Sequence, residues 1–248
     1  MNRPLIIAHR GYSGKYPENT LIAFERAIEC HCDMIELDVH LTKDSHLIVA
    51  HDHLLGRTVN GRGAIDSLSL SDLQKKDCGS WFKKEFSDQR MSSLKEVLIK
   101  INKRVSVNIE IKHETLKSPG HYKIMAEKVL SLIEELGYRD LIIISSFDEQ
   151  ILRKIRSMDA TVRLGILDHE SEKTLKFNLV RDIKAFSYHH NHIRLNSKNI
   201  QQMHNEGLKV YPYTANTVKS FEKLSSLNVD GIITNQVEDL REFLGVKI

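Results

Sequence analysis

Short apolar runs alternate with amphipathic helical patterns along the 248-residue chain, and this alternation constrains the fold more than any other feature. Each run has the length of a buried strand, and each following segment repeats its apolar residues at helical spacing. Setting aside one returning strand, we predict eight strands near residues 5–8, 34–40, 105–111, 141–144, 162–167, 185–188, 208–213 and 231–234. Eight strand and helix units over about 250 residues are typical of an α/β fold of the (β/α)8 type, the TIM barrel.

A doubly wound open sheet is the competing architecture. Such sheets hold phosphates at a glycine-rich turn after a strand, and no such turn follows any of the predicted strands. A composition of 41% hydrophobic and 28% charged residues, with four prolines, fits one large domain with a full core. We therefore predict a single TIM-barrel domain over residues 1–248.

Residues 54–91 interrupt the barrel pattern. They contain glycine turn signals, and a helical pattern is limited to residues 71–76. A segment of this length without regular elements typically forms a lid or a binding insertion. Because Trp81 and Phe82 are too few to build an independent core, we expect them to pack over the barrel or over the bound substrate.

Two carboxylates mark the second predicted strand. Period-two alternation places Glu36 and Asp38 on the same face of that strand. The next apolar run begins too soon for a crossover helix, so the chain must return as a hairpin. If residues 44–45 form a two-residue turn, Asp38 lies directly opposite His51 on the same face. The alternative is a solvated edge hairpin whose polar residues face water.

A third carboxylate follows on the next barrel strand. In the stretch SVNIEIK, alternation places Glu110 and Lys112 on one face, at the strand end where barrel enzymes carry their chemistry. Three carboxylates without a nearby thiolate suit a hard divalent ion, Mg²⁺ or Ca²⁺, better than zinc. The alternative for Glu110 and Lys112 is an internal ion pair.

Two basic and two imidazole side chains are expected at the same end of the barrel. Arg10 offers a planar fork for an anion and Lys112 a point charge, so both match a phosphate. His9 and His51 are candidates for proton transfer near neutral pH. Each histidine alone could instead be a hydrogen-bonded core residue.

The overall charge balance limits the possible partners. The 36 basic and 33 acidic residues give a net charge of +3, and the basic residues are scattered, which indicates no nucleic-acid partner. The first apolar run is too short for a signal peptide and no later stretch approaches a membrane span, so we expect a cytoplasmic protein without stable membrane insertion. The three cysteines are expected to stay reduced. The sequence pattern indicates no particular oligomeric state.

Between His9 and Lys112 the chain carries a series of motifs in the order HRG, PENT, IELDVHLTKD, AHD, LGRTVNGRG, CGSWF and NIEIK. Weaker matches follow at ISSFDEQIL, YPYTAN and DGIITN. This series resembles the glycerophosphodiester phosphodiesterase family. The resemblance implies a TIM barrel with a small insertion after the hairpin, and metal-dependent hydrolysis of a small-molecule glycerophosphodiester to sn-glycerol 3-phosphate and an alcohol.

The resemblance also implies roles for individual residues and one divalent cation, Mg²⁺ or Ca²⁺, as cofactor. The implied roles are metal ligation by Glu36, Asp38 and Glu110, acid and base catalysis by His9 and His51, and phosphate contact by Arg10 and Lys112.

Some positions depart from the family pattern, and they concern substrate choice. Tyr213 stands where a tryptophan is frequent, and His40 where a glutamine is more usual. We interpret Phe147, His189 and Tyr213 as candidate substrate-binding residues, with packing at the barrel end as the alternative. Two other functions remain as alternatives: a lysophospholipase D-type enzyme acting on lysolipids, and a non-catalytic barrel that binds phosphodiesters.

Overall fold

The computed structural model describes residues 3–169 and 174–247 of the chain. Its strands are β1 (Leu5–His9), β2 (Met34–Leu41), β3 (Leu47–Val49), β4 (Ser106–Ile111), β5 (Ile142–Ser146), β6 (Arg163–Leu167), β7 (Ser187–His189), β8 (Lys209–Val210) and β9 (Gly231–Thr234). Its α-helices are α1 (Leu21–Glu29), α2 (Leu70–Leu73), α3 (Leu94–Ile101), α4 (Pro119–Glu135), α5 (Glu149–Met158), α6 (Phe177–Ile183), α7 (Ser197–Asn205), α8 (Val218–Ser226) and α9 (Val237–Phe243).

Eight parallel strands form a nearly closed barrel, in the order β8, β7, β6, β5, β4, β2, β1, β9. The seam between β8 and β9 is bridged by backbone hydrogen bonds, from Asp230 N to the Val210 oxygen at 3.1 Å and from Ile233 N to the Pro212 oxygen at 3.0 Å. Strand β8 is shorter than the predicted 208–213 because Pro212 has no N–H to donate to a ladder. The TIM-barrel prediction is confirmed.

The strands have one face toward the helices and one toward the barrel interior. Ile35, Leu37 and Val39 of β2 are fully buried in the large core between barrel and helices. A smaller apolar cluster inside the barrel contains Ile7, Met34, Ile143, Tyr211 and Ile233. The polar side chains on the inward face of β2 and β4 therefore lie toward the end of the barrel interior opposite this apolar cluster.

Side-chain caps explain where several helices begin. Helix α3 begins with a capping box, in which Ser93 and Glu96 satisfy each other's backbone N–H groups. Helix α5 begins after Asp148, whose carboxylate accepts from the Gln150 and Ile151 N–H groups. The helical pattern near residues 172–180 of the sequence predicts a helix, which is found as α6, beginning at Phe177; residues 172 and 173 lie outside the described residues.

The hairpin from β2 to β3 has a different register from the predicted one. Its turn contains three residues, and the Thr42 N–H donates to the His46 oxygen at 3.0 Å. The Thr42 hydroxyl donates to Asp44 at 2.6 Å and accepts from the His46 N–H at 2.9 Å, while Ser45 adopts a left-handed φ of 58°. A three-residue loop with one left-handed residue is a standard hairpin solution. Ala50 therefore pairs with Asp38, through a 3.1 Å bond.

The prediction that Asp38 lies directly opposite His51 is accordingly wrong. A slip of one residue turns every side chain of the returning strand to the other face. His51 instead lies just after β3, outside the paired residues of the hairpin. Its side chain lines the same cavity as Glu36 of β2. The loop after the strand, rather than strand pairing, brings this histidine to the carboxylates.

The insertion at residues 54–91 folds against the outer face of the hairpin. Its apolar side chains form a cluster that shares two hairpin residues, with members Ile48, Ala50, Leu55, Val59, Ile65, Leu73, Cys78 and Met91. The helical pattern predicted at residues 71–76 appears one residue earlier as α2, after a Ser69 cap. The insertion thus takes its core partly from the barrel.

The aromatic residues of the insertion contact one another and a loop of the barrel, and their packing over a bound substrate stays a prediction. Trp81 is 42% exposed, and its Nε1–H donates to the Cys78 carbonyl. Phe82 contacts Phe86, and Phe86 packs edge-on against Tyr16 of the loop after β1, with ring centroids 5.8 Å apart. Their contact with the barrel is therefore through this loop. Among the described residues no helix combines the length and apolar surface of a membrane crossing.

Candidate active site

A cavity of about 220 Å³ opens at the carboxyl ends of the barrel strands. It is lined by His9, Arg10, Glu36, His51, Asn108, Glu110, Lys112, Phe147, Leu167, His189, Tyr213, Thr214 and Ile233. Nine of the ten predicted site residues are in this lining. The tenth, Asp38, lies beside it and is 1% exposed.

Glu36, Asp38 and Glu110 form a compact acidic cluster. One carboxylate oxygen from each lies within 4.8 Å of the other two, and all three residues are buried. Parallel pairing explains this, because β2 and β4 place Asp38 beside Glu110 in register. Glu36 Oε1 and Asp38 Oδ1 are buried without a hydrogen-bond partner in the described part of the chain. Hard, unpaired oxygen donors at this spacing could hold a divalent metal ion.

The cluster is electrostatically strained without a cation. Burial, together with the charges of Asp38 and Glu110, raises the pKa of Glu36 well above its usual range. Burial also raises the pKa of Glu110, although Lys112 opposes this effect. Burial opposes ionisation of Asp38 too, but Arg10 and Lys112 outweigh it and hold the pKa of Asp38 below its usual range. The three carboxylates therefore do not share one preferred charge state.

Two cationic side chains lie against this cluster. Lys112 Nζ is 2.8 Å from Glu110 Oε1 and 3.7 Å from Asp38 Oδ1. Arg10 Nε is 3.2 Å from Asp38 Oδ2, and the Arg10 backbone N–H donates to Glu36 Oε2 at 2.9 Å. The internal ion pair considered for Glu110 and Lys112 is present, and both residues also line the cavity.

Asn235, at the end of β9, orients His9. Its Oδ1 is 2.6 Å from His9 Nδ1 and also accepts from the Ser13 hydroxyl at 3.1 Å. An amide oxygen only accepts, so Nδ1 carries the proton and Nε2 is the unprotonated nitrogen of the neutral ring. Burial, and secondarily the charge of Arg10, lowers the pKa of His9 to about 4. His9 is thus neutral at pH 7.

A carboxylate orients His51. His51 Nδ1 is 2.7 Å from Asp52 Oδ1, so this nitrogen donates and Nε2 remains for a ligand. The ring of His40 helps to place the same residue, since its Nε2 donates to the His51 carbonyl at 2.9 Å. Asp52 in turn pairs with Arg57 of the insertion.

Aromatic and imidazole groups form another wall of the cavity. Phe147 packs edge-on against Tyr213, with centroids 6.1 Å apart, and stacks on His169 at 4.4 Å. The Tyr213 hydroxyl donates to the Asp168 carbonyl. His189 is 1% exposed and bonds Ser187 through Nε2 at 2.9 Å, while its Nδ1 has no hydrogen-bond partner among the described residues. Burial lowers the pKa of His189 to about 3.

The structure adds four residues that the sequence analysis did not assign to the site. Asn235 and Asp52 hold the two candidate histidines, and Glu18 and Arg57 extend the ion pairs of the site. Asp52 follows His51 directly in the motif AHD, so adjacency was a usable signal. Asn235 lies 226 residues from His9, and no local pattern connects the two.

Known proteins match this sequence along nearly the whole chain. The model of the "Glycerophosphoryl diester phosphodiesterase family" matches residues 9–239. A glycerophosphodiester phosphodiesterase of Caldanaerobacter subterraneus is 36% identical over 239 residues, with 96% of each chain covered. A glycerophosphodiester phosphodiesterase of Bacillus subtilis is 32% identical, covering 94% of this chain and 84% of that protein.

Solved structures have the same architecture. An Oleispira antarctica phosphodiesterase, in complex with the product sn-glycerol-3-phosphate, superposes with a TM-score of 0.90 at 23% identity, covering 98% and 97% of the two chains. A glycerophosphodiester phosphodiesterase of Thermotoga maritima has a TM-score of 0.77 and 29% identity over the full length of both chains. The chain therefore belongs to the glycerophosphoryl diester phosphodiesterase family.

Proposed function

We propose that this enzyme hydrolyses glycerophosphodiesters to sn-glycerol 3-phosphate and an alcohol in the cavity at the barrel mouth. The observation that carries the proposal is the acidic cluster, whose oxygens lie within 4.8 Å of one another beside two cations and two oriented histidines. This set matches the needs of phosphoryl transfer, which are charge neutralisation, positioning and proton transfer. The product bound to the Oleispira antarctica relative supports a small-molecule substrate of this class.

Glu36, Asp38 and Glu110 would hold one divalent cation. Their chemistry fits, because all three offer hard oxygen ligands and two of those oxygens accept no hydrogen bond from the described residues. A carboxylate set of this kind accommodates Mg²⁺ or Ca²⁺. When bound, the ion would neutralise a phosphate oxygen and lower the pKa of a neighbouring hydroxyl.

Arg10 and Lys112 would bind the phosphate. Both are cationic, since acidic neighbours outweigh burial and raise the pKa of each. The Arg10 guanidinium contacts Asp38 and Glu18 through Nε and Nη1, which leaves Nη2 for a phosphate oxygen. Besides pairing with the carboxylates, both side chains line the cavity, so they can also attract an anion that enters it. A phosphodiester is such an anion.

His9 and His51 would carry the protons. Each has Nδ1 anchored, to Asn235 and Asp52 respectively, and Nε2 as the remaining ring nitrogen. One histidine removes a proton from the attacking hydroxyl or water, and the other gives a proton to the leaving alkoxide. Phe147, His189 and Tyr213 would contact the glycerol or the alcohol group.

The rival functions have less support. A lysophospholipase D-type enzyme needs an apolar rim beside the site, and Trp81, the most exposed aromatic candidate, is not among the described residues lining the cavity. A non-catalytic barrel that binds phosphodiesters could use the same acidic cluster for a metal ion, but it would not need two histidines whose Nδ1 atoms are anchored at the cavity.

The test is turnover of glycerophosphocholine by the purified chain. We expect sn-glycerol 3-phosphate to appear with Mg²⁺ or Ca²⁺, to stop after exhaustive chelation, and to return when the ion is restored. Full activity after chelation would exclude the metal role. A chain that binds the diester with metal present and never cleaves it would instead support the non-catalytic barrel.

A further inference from the structure

Arg57 in the insertion bridges two carboxylates that belong to different parts of the barrel. Its guanidinium pairs with Asp52 through Nε and through Nη2, the second contact at 3.1 Å. It also reaches Glu18, with Nη2 2.8 Å from Oε1 and Nη1 3.3 Å from Oε2. One planar fork therefore holds the segment after β3 and the loop after β1 at a fixed separation.

Each of those carboxylates holds a residue of the proposed site. Asp52 bonds the ring of His51 at 2.7 Å. Glu18 accepts from Arg10 Nη1 at 2.9 Å, and Arg10 contacts the acidic cluster through Asp38. A continuous path of ion pairs and hydrogen bonds thus leads from a proton-transfer histidine, through Arg57, to the phosphate-binding arginine.

Arg57 stabilises the charged form of both neighbours. Burial opposes ionisation of Glu18, but Arg57 and Arg10 outweigh it, so the pKa of Glu18 lies below its usual range. Arg57 and His51 lower the pKa of Asp52 in the same way, against partial burial. Each carboxylate therefore stays available as an acceptor for the site residue that it orients.

The backbone around Arg57 is held in place by the insertion core. Gly56 has a φ of +127°, which an L side chain rarely adopts, and its N–H donates to the Val59 oxygen at 2.9 Å. Leu55 and Val59 on either side are buried in the cluster that the insertion shares with the hairpin. Arg57 is thus presented from a tight turn whose flanks are fixed.

We propose that Arg57 is a positioning residue, which fixes the His51 ring and the Arg10 guanidinium relative to each other through Asp52 and Glu18. This inference rests on the proposed roles of His51 and Arg10. Arg57 is not among the described residues that line the cavity, so it acts through other side chains. The insertion then serves the reaction through one arginine and not through its aromatic residues.

A purely structural role of Arg57 would predict a different result from a positioning role. The Arg57 side chain is 48% exposed, whereas its partners Glu18 and Asp52 are 13% and 26% exposed. Without Arg57, Glu18 keeps its ion pair with Arg10 and Asp52 keeps its bond to His51. Removing it should leave the fold nearly as stable, while the two site residues lose their common anchor. Loss of such outer partners typically lowers activity about 10- to 100-fold.

The experiment compares Arg57→Ala and Arg57→Lys with Arg62→Ala. Arg62 lies in the same insertion, is exposed and makes no ion pair within the described residues, so it is a matched control. We expect kcat/KM for glycerophosphocholine to fall roughly 10- to 100-fold in Arg57→Ala, with an intermediate value for lysine, which cannot contact both carboxylates as a fork. Metal affinity and melting temperature should stay near the unsubstituted values, and Arg62→Ala should be fully active.

Double substitutions show through which residue Arg57 acts. In a His51→Ala or Arg10→Ala background, adding Arg57→Ala should lower the rate by a smaller factor than in the unsubstituted enzyme, because the group that it positions is already gone. Unchanged kcat/KM in Arg57→Ala overturns the inference, as does an equal factor in all backgrounds or a loss of metal binding. Full activity of His51→Ala and Arg10→Ala would instead overturn the proposed function itself.

Discussion

His9 and His51 have the same anchored nitrogen but different partners. His9 Nδ1 bonds a neutral amide, and His51 Nδ1 bonds a carboxylate. Both arrangements fix the tautomer and leave Nε2 for chemistry. The two rings come from the end of β1 and from the loop after β3, and both line the cavity.

Substituting each histidine should separate the acid from the base. His9→Ala and His51→Ala should each lower kcat on glycerophosphocholine by about 10²- to 10⁴-fold, the usual effect of one proton-transfer group. The variant that lacks the general acid should recover on a diester with a good leaving group, such as nitrophenol, because that product needs no proton. Steady-state rates on both substrates measure this. Wild-type turnover of glycerophosphocholine by both variants would contradict the assignment.

The acidic cluster should make the metal-free enzyme less stable than a neutral version. Because burial and two acidic neighbours raise the pKa of Glu36, we expect Glu36→Gln to increase the melting temperature without metal. The same variant should lose nearly all activity and the stabilisation that Mg²⁺ gives by binding the folded state. Thermal melts with chelator and with excess Mg²⁺ test this, with the exposed Glu127→Gln as control. A normal Mg²⁺ shift in Glu36→Gln would contradict the ligand role.

At the scale of elements, the hairpin connects the site to the insertion. One face of β2 carries the metal-ligand candidates, and Ile48 of β3 packs into the insertion cluster. Cavity walls come from other elements, since Phe147 follows β5 and Tyr213 follows β8. The alcohol group is therefore expected to be selected by these loops.

The two candidate surfaces for substrate selection can be compared directly. Phe147→Ala should change the ratio of kcat/KM values among choline, ethanolamine and inositol diesters, because the ring lines the cavity. Trp81→Ala should leave that ratio unchanged, because the indole is 42% exposed and bonds the insertion's own backbone. Competition assays with paired diesters measure both. The opposite pattern would show that the insertion selects the alcohol.

At the scale of the whole molecule, we propose one barrel domain with the insertion as a dependent part. The insertion cluster uses Ile48 and Ala50 of the hairpin, so cutting it away would expose apolar surface. Buried neutral histidines are a second whole-molecule property, because their protonation favours the unfolded chain. His189 is the clearest of them, with its pKa lowered to about 3 by burial.

Stability should therefore decrease in mild acid. His189 has a pKa of about 3 in the folded chain and about 6.5 in the unfolded chain. Above pH 6.5 the residue is neutral in both states and does not lower the free energy of unfolding. As the pH falls from 6.5 toward 3, the unfolded chain binds a proton that the folded chain does not, and the free energy of unfolding decreases. At pH 5 the loss should be about 2 kcal/mol for such a group. Urea unfolding between pH 7 and pH 4.5 should show a shallower decline for His189→Gln than for the unsubstituted chain. The exposed His46→Gln should keep the steeper decline, and equal slopes for both variants would refute the prediction.

The sequence by itself determined the barrel, because strand length and helical spacing are local properties repeated along the chain. It also determined which faces of β2 and β4 carry carboxylates, since alternation within a strand does not depend on distant residues. Eight of the nine cavity-lining candidates follow from the rule that parallel strands end at one rim. His51 is the ninth, and it was predicted from a hairpin register that the structure contradicts.

Tertiary structure decided the remaining features, for specific physical reasons. The hairpin register depended on the Thr42 side chain, whose bonds within the turn stabilise three loop residues in place of two. The orientation of His9 depended on Asn235, which closure of the barrel brings from 226 residues away. The link between His51 and Arg10 depended on Arg57, which reaches Glu18 across 39 residues only when the insertion is folded. Contacts of this range arise from packing, and no periodicity in the chain encodes them.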